Sequence, residues 1–315
     1  MKEIVKKIIQ KIDEIKDSPI IINNESFEIN HNNFKSIIDI NSSKKIGFID
    51  GGSQELIKSP TISLFFNRLY LTVYENNSRI KNKTYEFFTL INSKNNYNKI
   101  IYKTELFFTK NKIELKEYEF DSMDQKLTSS NKRAKISKIG NVIRRFAELK
   151  LASVVNLNYV VIDGSLDPTF PFEEELIKNF NKEQVFGLSK TSDLITTNGD
   201  SVSYVLLNST KIKTWYYKIN KDTYFLKLNK NSNYVFRLDS FSSNITELIS
   251  LLKNNSVDPI FLGYPYGLIE ADKFARVSNK EVEILKLKLS TIKGFEKIKD
   301  LEKGLDAHSI LDSIG

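Results

Sequence analysis

The run Ile46-Gly47-Phe48-Ile49-Asp50-Gly51-Gly52-Ser53 decides how the rest of the chain is read. Apolar residues fill its first half around a single glycine, the composition of a short strand buried on both faces. It ends in an acid, and Gly51-Gly52-Ser53 behind it reads as a turn. The same design returns at Tyr159-Val160-Val161-Ile162-Asp163, with Gly164-Ser165 behind it. In α/β sheets, ligands bind where the strands end, so Asp50 and Asp163 sit where chemistry is done. Each acid also has an ordinary explanation, since aspartate before glycine commonly forms a turn or caps a helix.

Between these strands lies the longest helical pattern, Lys132 to Asn156. Its apolar residues Ile136, Ile139, Val142, Ile143, Phe146, Leu149 and Val154 recur at steps of three and four. It carries Arg144, Arg145 and Glu148, and Glu148 has Arg144 four residues before it as a surface partner. An acid on a strand, one on the following helix and one on a later strand make the layout of the ribonuclease-H-like fold. That fold brings its carboxylates into one small volume. Like charges so placed raise one another's pKa, and divalent cations resolve the conflict. The expected class is α/β: a ribonuclease-H-like mixed sheet flanked by helices, with additional N- and C-terminal helices.

Working outward, Ile4, Val5, Ile8, Ile9, Ile12 and Ile15 give an amphipathic first helix. The Asn/Ser-rich stretch from Asn23 to Ser43 reads as loop. Ser63 to Glu75 and Tyr85 to Leu90 form a hairpin joined by a longish polar loop, and Ile100 to Phe108 is a further strand. Ile113 to Phe120 reads as strand or as the start of a helix. Glu173 to Phe180 is a helix, Val185 to Lys190 a strand, and Thr197 to Asn208 carries no decisive pattern. Trp215–Ile219, Thr223–Leu228 and Tyr234–Leu238 form a meander. Asn244 to Asn254 is a helix, Pro259 to Gly263 a strand, Ile269 to Leu289 one long helix and Leu305 to Ile314 a short last one. The domain reading is 1–43 for the first helix and polar loop, 44–273 for the nuclease-like body and 274–315 for a helical extension packing on it.

Composition narrows the chemistry. The 315 residues contain no cysteine and two histidines, His31 and His308, which excludes thiol nucleophiles, disulfides and Cys- or multi-His zinc sites. A metal would be held by carboxylate oxygens, pointing to magnesium or manganese. The net charge is +8, which favours a polyanionic partner. No signal peptide or membrane span is visible, so a cytoplasmic protein is expected. The turns at Asp50 and Asp163 also resemble the phosphate loops of sugar kinases and actin-like ATPases. With 12 glycines, no P-loop and no GxGxxG, that phosphotransferase reading stays second. A non-catalytic adaptor that binds DNA and recruits an ATPase ring is the third.

The short blocks, taken in order, resemble the NurA family of archaeal and bacterial nucleases. They are Phe48–Ser53, Arg145–Glu148, Val161–Leu166, Gly187–Ser192, Gly263–Asp272 and Asp306–Asp312. The resemblance implies a homodimeric, manganese-dependent (or magnesium-dependent) DNA nuclease with single-strand endonuclease and 5′-to-3′ exonuclease activity. It implies a role in DNA end resection and homologous recombination, with a hexameric HerA-type ATPase as partner. The family's metal-binding acids fall on Asp50, Glu148 and Asp163. Its later Tyr and Asp/His positions fall on Tyr264 and Asp272, where an acid is a candidate further ligand. Lys190, at a strand end, is a candidate for holding the scissile phosphate or else a solvated lysine. His308 is a candidate acid/base or ligand, or a residue of a helix end. Lys132, Arg133 and Lys135 join Arg144 and Arg145 as candidate phosphate contacts.

Overall fold

The computed structural model describes residues 1–9, 18–97, 99–128 and 132–296. In chain order these form α1 (Lys2–Ile9), β1 (Ile20–Ile22), β2 (Glu25–Phe27), β3 (Phe34–Ser36), β4 (Ile46–Lys58), β5 (Ile62–Glu75), β6 (Ser78–Asn96), β7 (Lys99–Lys110) and β8 (Glu119–Asp121). Then come α2 (Ser137–Val154), β9 (Tyr159–Asp163), α3 (Glu173–Lys178), β10 (Val185–Ser189), α4 (Val202–Asn208), β11 (Trp215–Lys218), β12 (Thr223–Lys227) and β13 (Phe236–Ser240). Helices α5 (Thr246–Asn254), α6 (Tyr266–Ala275) and α7 (Asn279–Ser290) follow.

The chain makes two compact units, one from Met1–Asn41 with Gly187–Pro265, the other from Ser42–Phe186 with the chain from Tyr266 onward. The crossings fall at 41/42, 186/187 and 265/266, whereas the sequence suggested 43/44 and 273/274. The second crossing runs through β10, an uninterrupted apolar strand that composition gives no reason to cut.

The larger unit has the ribonuclease-H-like core. Strands lie in the order β9-β4-β5-β6-β7-β8. β9 runs parallel to β4, with Ile46 opposite Tyr159 and Ile49 opposite Ile162, and β4 to β8 are antiparallel neighbours. The connection from the antiparallel strands to β9 runs through α2, which packs on β4 and β5 through a buried stripe including Ile139, Val142, Ile143 and Phe146. Each such side chain contributes about 1.5–3 kcal/mol of burial, so the stripe outweighs the helix's weak start, where Ile136 offers no side-chain cap. In the other unit, β3-β11-β12-β13 is an antiparallel meander and β1-β2 a separate hairpin. Ile20, Phe34, Val202, Leu206, Trp215, Tyr217 and Phe225 form its core.

Several elements differ from their sequence reading. Gly51-Gly52-Ser53 is no turn. β4 runs straight through it, with Gly51 opposite Leu69, Gly52 opposite Arg68 and Ser53 opposite Asn67. The hairpin loop is two residues, Asn76 and Asn77, both at positive φ, a conformation asparagine tolerates. The Asn23–Ser43 stretch contains β2 and β3, and 113–120 is mostly irregular before β8. Pro259–Phe261 is a 3₁₀ turn capped by Asp258, not a strand. The long helix after 269 is two helices, because Ser278 and Glu281 form a capping box that starts α7 afresh. The helix expected at 305–314 and the tail block lie outside the described residues.

Candidate active site

The site is built where β9 stops and β4 continues. Their shared ladder ends at Ile49 and Ile162, and the next residues on these adjacent parallel strands are Asp50, inside β4, and Asp163, the last residue of β9. Asp50 is buried, and its Oδ1 accepts the Gly51 N–H at 2.7 Å. Alternation along β4 turns residues 48, 50 and 52 toward α6, where Phe48 meets Gly267 and Gly52 meets the Ala275 carbonyl. Gly51 faces the other way, against Glu148, Leu69 and Arg144. Glu148 therefore approaches from the opposite face of the strand to Asp50.

Arg144 spans that gap. Its Nη1 donates to the Gly51 carbonyl at 2.9 Å and pairs closely with Glu148 Oε1. The charges of Glu148, then of Asp50 and Asp163, hold its guanidinium more firmly protonated than usual, against the pull of burial. The charges of all three candidate acids therefore act on one guanidinium, with Glu148 in direct contact with it. Glu148, 3% exposed, is also approached by Arg145 Nη1 at 3.6 Å from Oε2. Burial pushes its carboxyl up, the two arginines pull it back, and the Asp163 charge adds to the push.

Arg145 braces the strand end. It donates to the Asp163 carbonyl at 3.4 Å and the Ser165 carbonyl at 2.5 Å, and pairs with Glu173 at 3.0 Å. Glu173 in turn accepts the Thr169 and Phe170 N–H groups at 2.8 and 3.0 Å. Gly164 takes a positive φ of 102°, the left-handed step that lets the chain leave the sheet there.

The remaining candidates belong to other elements. Asp272, on α6, pairs with Arg276 at 3.1 Å and is partly exposed. Lys190 and Tyr264 belong to the smaller unit, where the Lys190 ammonium lies 5.5 Å from the Tyr264 ring centre. Tyr264 is fully buried, packed on Phe236 and Phe261, as a core tyrosine is. His308 lies outside the described residues. Sequence reading missed Glu173 and Glu270. Glu270, buried, accepts hydroxyls from Tyr70 (3.3 Å), Thr72 (3.3 Å) and Tyr74 (2.5 Å), and pairs with Arg79 (2.5 Å). Buried on α6 between Leu268 and Ala271, it stands off their helical face and gave no periodic signal in the sequence.

A divalent cation fits the Asp50–Asp163 pair by donor chemistry. Hard cations take carboxylate oxygens, and magnesium-type sites often use only one or two, with water and substrate phosphate completing the shell. Among the described residues no three Asp, Glu, His or Cys side chains form a group able to hold a metal by themselves. Glu148 is turned to the arginines and Asp272 to Arg276. The glycine phosphate loop of a phosphotransferase has no counterpart at 51–52, because those residues are strand, covered by α2 and α6.

Farther along the same strand and helix lies a cavity of about 620 Å³. It is lined by Ser53, Gln54 and one acid, Glu55, of β4, by Lys138 and Asn141 of α2, and by Lys132, Arg133 and Lys135 just before that helix, so cations outnumber the acid. The same strand and helix thus carry both the acids and a cationic groove. Asn141 and Glu148 are seven residues apart, about 10 Å along a helix.

The structure of the NurA nuclease from Sulfolobus solfataricus aligns with 84% of this chain and 90% of its own, at a TM-score of 0.52 and 16% identity. The chain has the NurA fold. The resemblance first drawn from short NurA-like blocks is thus met by a likeness of the whole architecture. A Ciona intestinalis endonuclease V bound to DNA containing inosine followed by a ribo-adenosine aligns with 77% of this chain and 87% of its own, at 0.40 and 12%. The catalytic domain of human endonuclease V aligns with 82% and 93%, at 0.40 and 8%. No protein-family model and no curated protein matches the sequence. No helix among the described residues is long and apolar enough to cross a membrane.

Proposed function

We propose that the chain is a metal-dependent DNA nuclease. The observation that carries this reading is the pair Asp50 and Asp163, which follow the shared ladder of two adjacent parallel strands, with a cationic groove farther along the same strand and helix. Asp50 and Asp163 would hold the cation. When bound, manganese or magnesium would supply a Lewis acid for the phosphodiester and an acidified water. Arg144, fixed to the Gly51 carbonyl and Glu148, offers a preorganised positive charge to the scissile phosphate. Glu148 acts here as a positioning residue for Arg144. Arg145 holds the Asp163 end in place through the Asp163 and Ser165 carbonyls. Lys132, Arg133 and Lys135 would track the nucleic-acid backbone, which fixes position without reading sequence.

The NurA fold and the ordered NurA-like blocks support the finer reading: single-strand endonuclease and 5′-to-3′ exonuclease activity, in end resection and recombinational repair, as a homodimer with a HerA-type hexameric ATPase.

The test is cleavage of single-stranded DNA by the purified chain in manganese. Asp50→Asn and Asp163→Asn should each reduce cutting by about 10²-fold or more, the scale of losing a principal electrostatic group. DNA affinity should change little, because the groove lysines are untouched. Cutting by Asp50→Asn at the wild-type rate would refute the site. Binding without cutting in any divalent cation would make the chain an adaptor instead.

A further inference from the structure

A second cavity, of about 400 Å³, lies wholly within the smaller unit and away from any residue assigned above. Its floor follows from register. On the meander, Tyr216 is opposite Lys35 of β3 and Leu226 of β12, and Lys218 is opposite Tyr224. Paired residues point to one face, so Lys35, Tyr216, Lys218 and Tyr224 share a face. Phe34, Trp215 and Tyr217 take the other and join the apolar core. The cavity opens over the first face, and its far wall is Ser243, Ile245 and Thr246 at the start of α5. Asn33 and Asn220 complete the lining, which contains two lysines and no acid.

Three features of that lining select an anion carrying a flat ring. Helix α5 begins after Ile245, which supplies no side-chain cap, so the N-terminal end of a nine-residue helix borders the cavity, its positive field offset in part by Glu247 of the first turn. Tyr224 is 1% exposed, yet its hydroxyl has no hydrogen-bond partner. Leaving such a group unmatched costs about 1–3 kcal/mol, and a ligand oxygen would recover it. The Tyr217 hydroxyl, by contrast, accepts the Asn30 N–H at 3.0 Å. The Lys218 ammonium stands 5.3 Å from the Tyr224 ring centre, which places its charge over this floor. Tyr216, half-buried between the two lysines, offers a ring for stacking. The volume is in the range of small-molecule pockets and too small for a duplex.

We propose that this cavity binds a nucleoside monophosphate. The phosphate meets Lys35, Lys218 and the α5 terminus, the base stacks on Tyr216, and the amides of Asn33 and Asn220 reach polar atoms of the base or sugar. The inference stands apart from the nuclease reading, since it concerns binding alone and a different set of residues.

Calorimetric titration of the full chain with thymidine 5′-monophosphate, thymidine and inorganic phosphate tests it. The monophosphate should bind at least tenfold more tightly than either fragment. Lys35→Gln/Lys218→Gln should weaken it at least tenfold, with thymidine unaffected, and Tyr216→Ala should weaken it about fivefold or more, the lower end of base–aromatic stacking. Asp50→Asn should bind it as the wild type does. Unfolding temperatures and circular dichroism of the variants establish that they are folded; both lysines are exposed. The proposal is overturned if no heat is seen at millimolar ligand, or if phosphate alone binds as tightly as the monophosphate. It is equally overturned if the double lysine variant is unchanged, or if Asp50→Asn abolishes binding.

Discussion

Glu281 shows how one carboxylate ties two elements together. Its Oε1 pairs with Arg68 of β5 at 2.9 Å, and its Oε2 accepts the Ser278 N–H at 3.0 Å in the capping box that starts α7. The Arg68 hydrogen bond, then the Ser278 amide, hold its carboxyl below the usual glutamate range. The unfolded chain therefore takes up this proton at higher pH than the folded chain does. The stabilisation is complete above the ordinary glutamate pKa and drains away as pH falls through the lower, folded value. Glu281→Gln keeps the cap geometry but loses the charge. It should cost at most about 1 kcal/mol at neutral pH, because the pair is partly solvated. The cost should shrink toward zero between roughly pH 5 and 3. Thermal unfolding across that range checks it; an equal loss at pH 7 and pH 3 would contradict the assignment. At this scale the sequence was most legible where an apolar run leads into an acid, as at Asp50 and Asp163, although β4 continues beyond Asp50. Glu148 was legible as a position on a helix, and Arg144 as its partner four residues back. What the spacing could not show is that Arg145, three residues before Glu148, also reaches Glu173, since that depends on α3 folding back against α2.

At the scale of elements, the double glycine is the instructive case. Glycine pairs usually mark turns, and read locally Gly51-Gly52 ends a strand. The folded strand continues because each face there is occupied: α2 brings Glu148 and Arg144 to Gly51, and α6 brings its last carbonyl to Gly52. The glycines serve close approach, and neither has a positive φ. That requirement comes from helices distant in sequence, so no local signal carries it. The break between α6 and α7 has a local cause instead, the Ser278/Glu281 capping box, which a reading of apolar periodicity across 269–289 passes over. Gly52→Ala tests the packing account. The new Cβ would meet the Ala275 backbone, which cannot rotate away as a side chain can. Overpacking of this kind costs about 1–3 kcal/mol. The urea midpoint should fall with the slope unchanged, and a variant as stable as the wild type would show that α6 does not press on β4 there.

For the whole molecule, the net charge of +8 set an expectation of a polyanionic partner, yet charge alone does not say where such a partner lies. The fold concentrates it. Lys132, Arg133 and Lys135 are exposed, precede α2 and line the groove farther along the strand and helix that carry Asp50 and Glu148. Their clustering was legible as a run of cations; their place next to Ser53 and Gln54 depends on how α2 crosses β4. If these side chains neutralise phosphates, their removal releases fewer counterions on binding. Each phosphate contact adds about 0.9 to the slope of log affinity against log salt for duplex DNA, and about 0.7 for a single strand. Lys132→Ala/Arg133→Ala/Lys135→Ala should therefore lower the slope for single-stranded DNA by about 2, and weaken binding most at low salt. Single-residue changes to lysines remote from the groove, such as Lys81 on β6, should leave the slope within experimental scatter. Fluorescence anisotropy with a labelled oligonucleotide from low to moderate salt reads both numbers. A triple variant with an unaltered slope would mean that DNA passes by another surface, and the groove would lose its role even if Asp50 and Asp163 kept theirs.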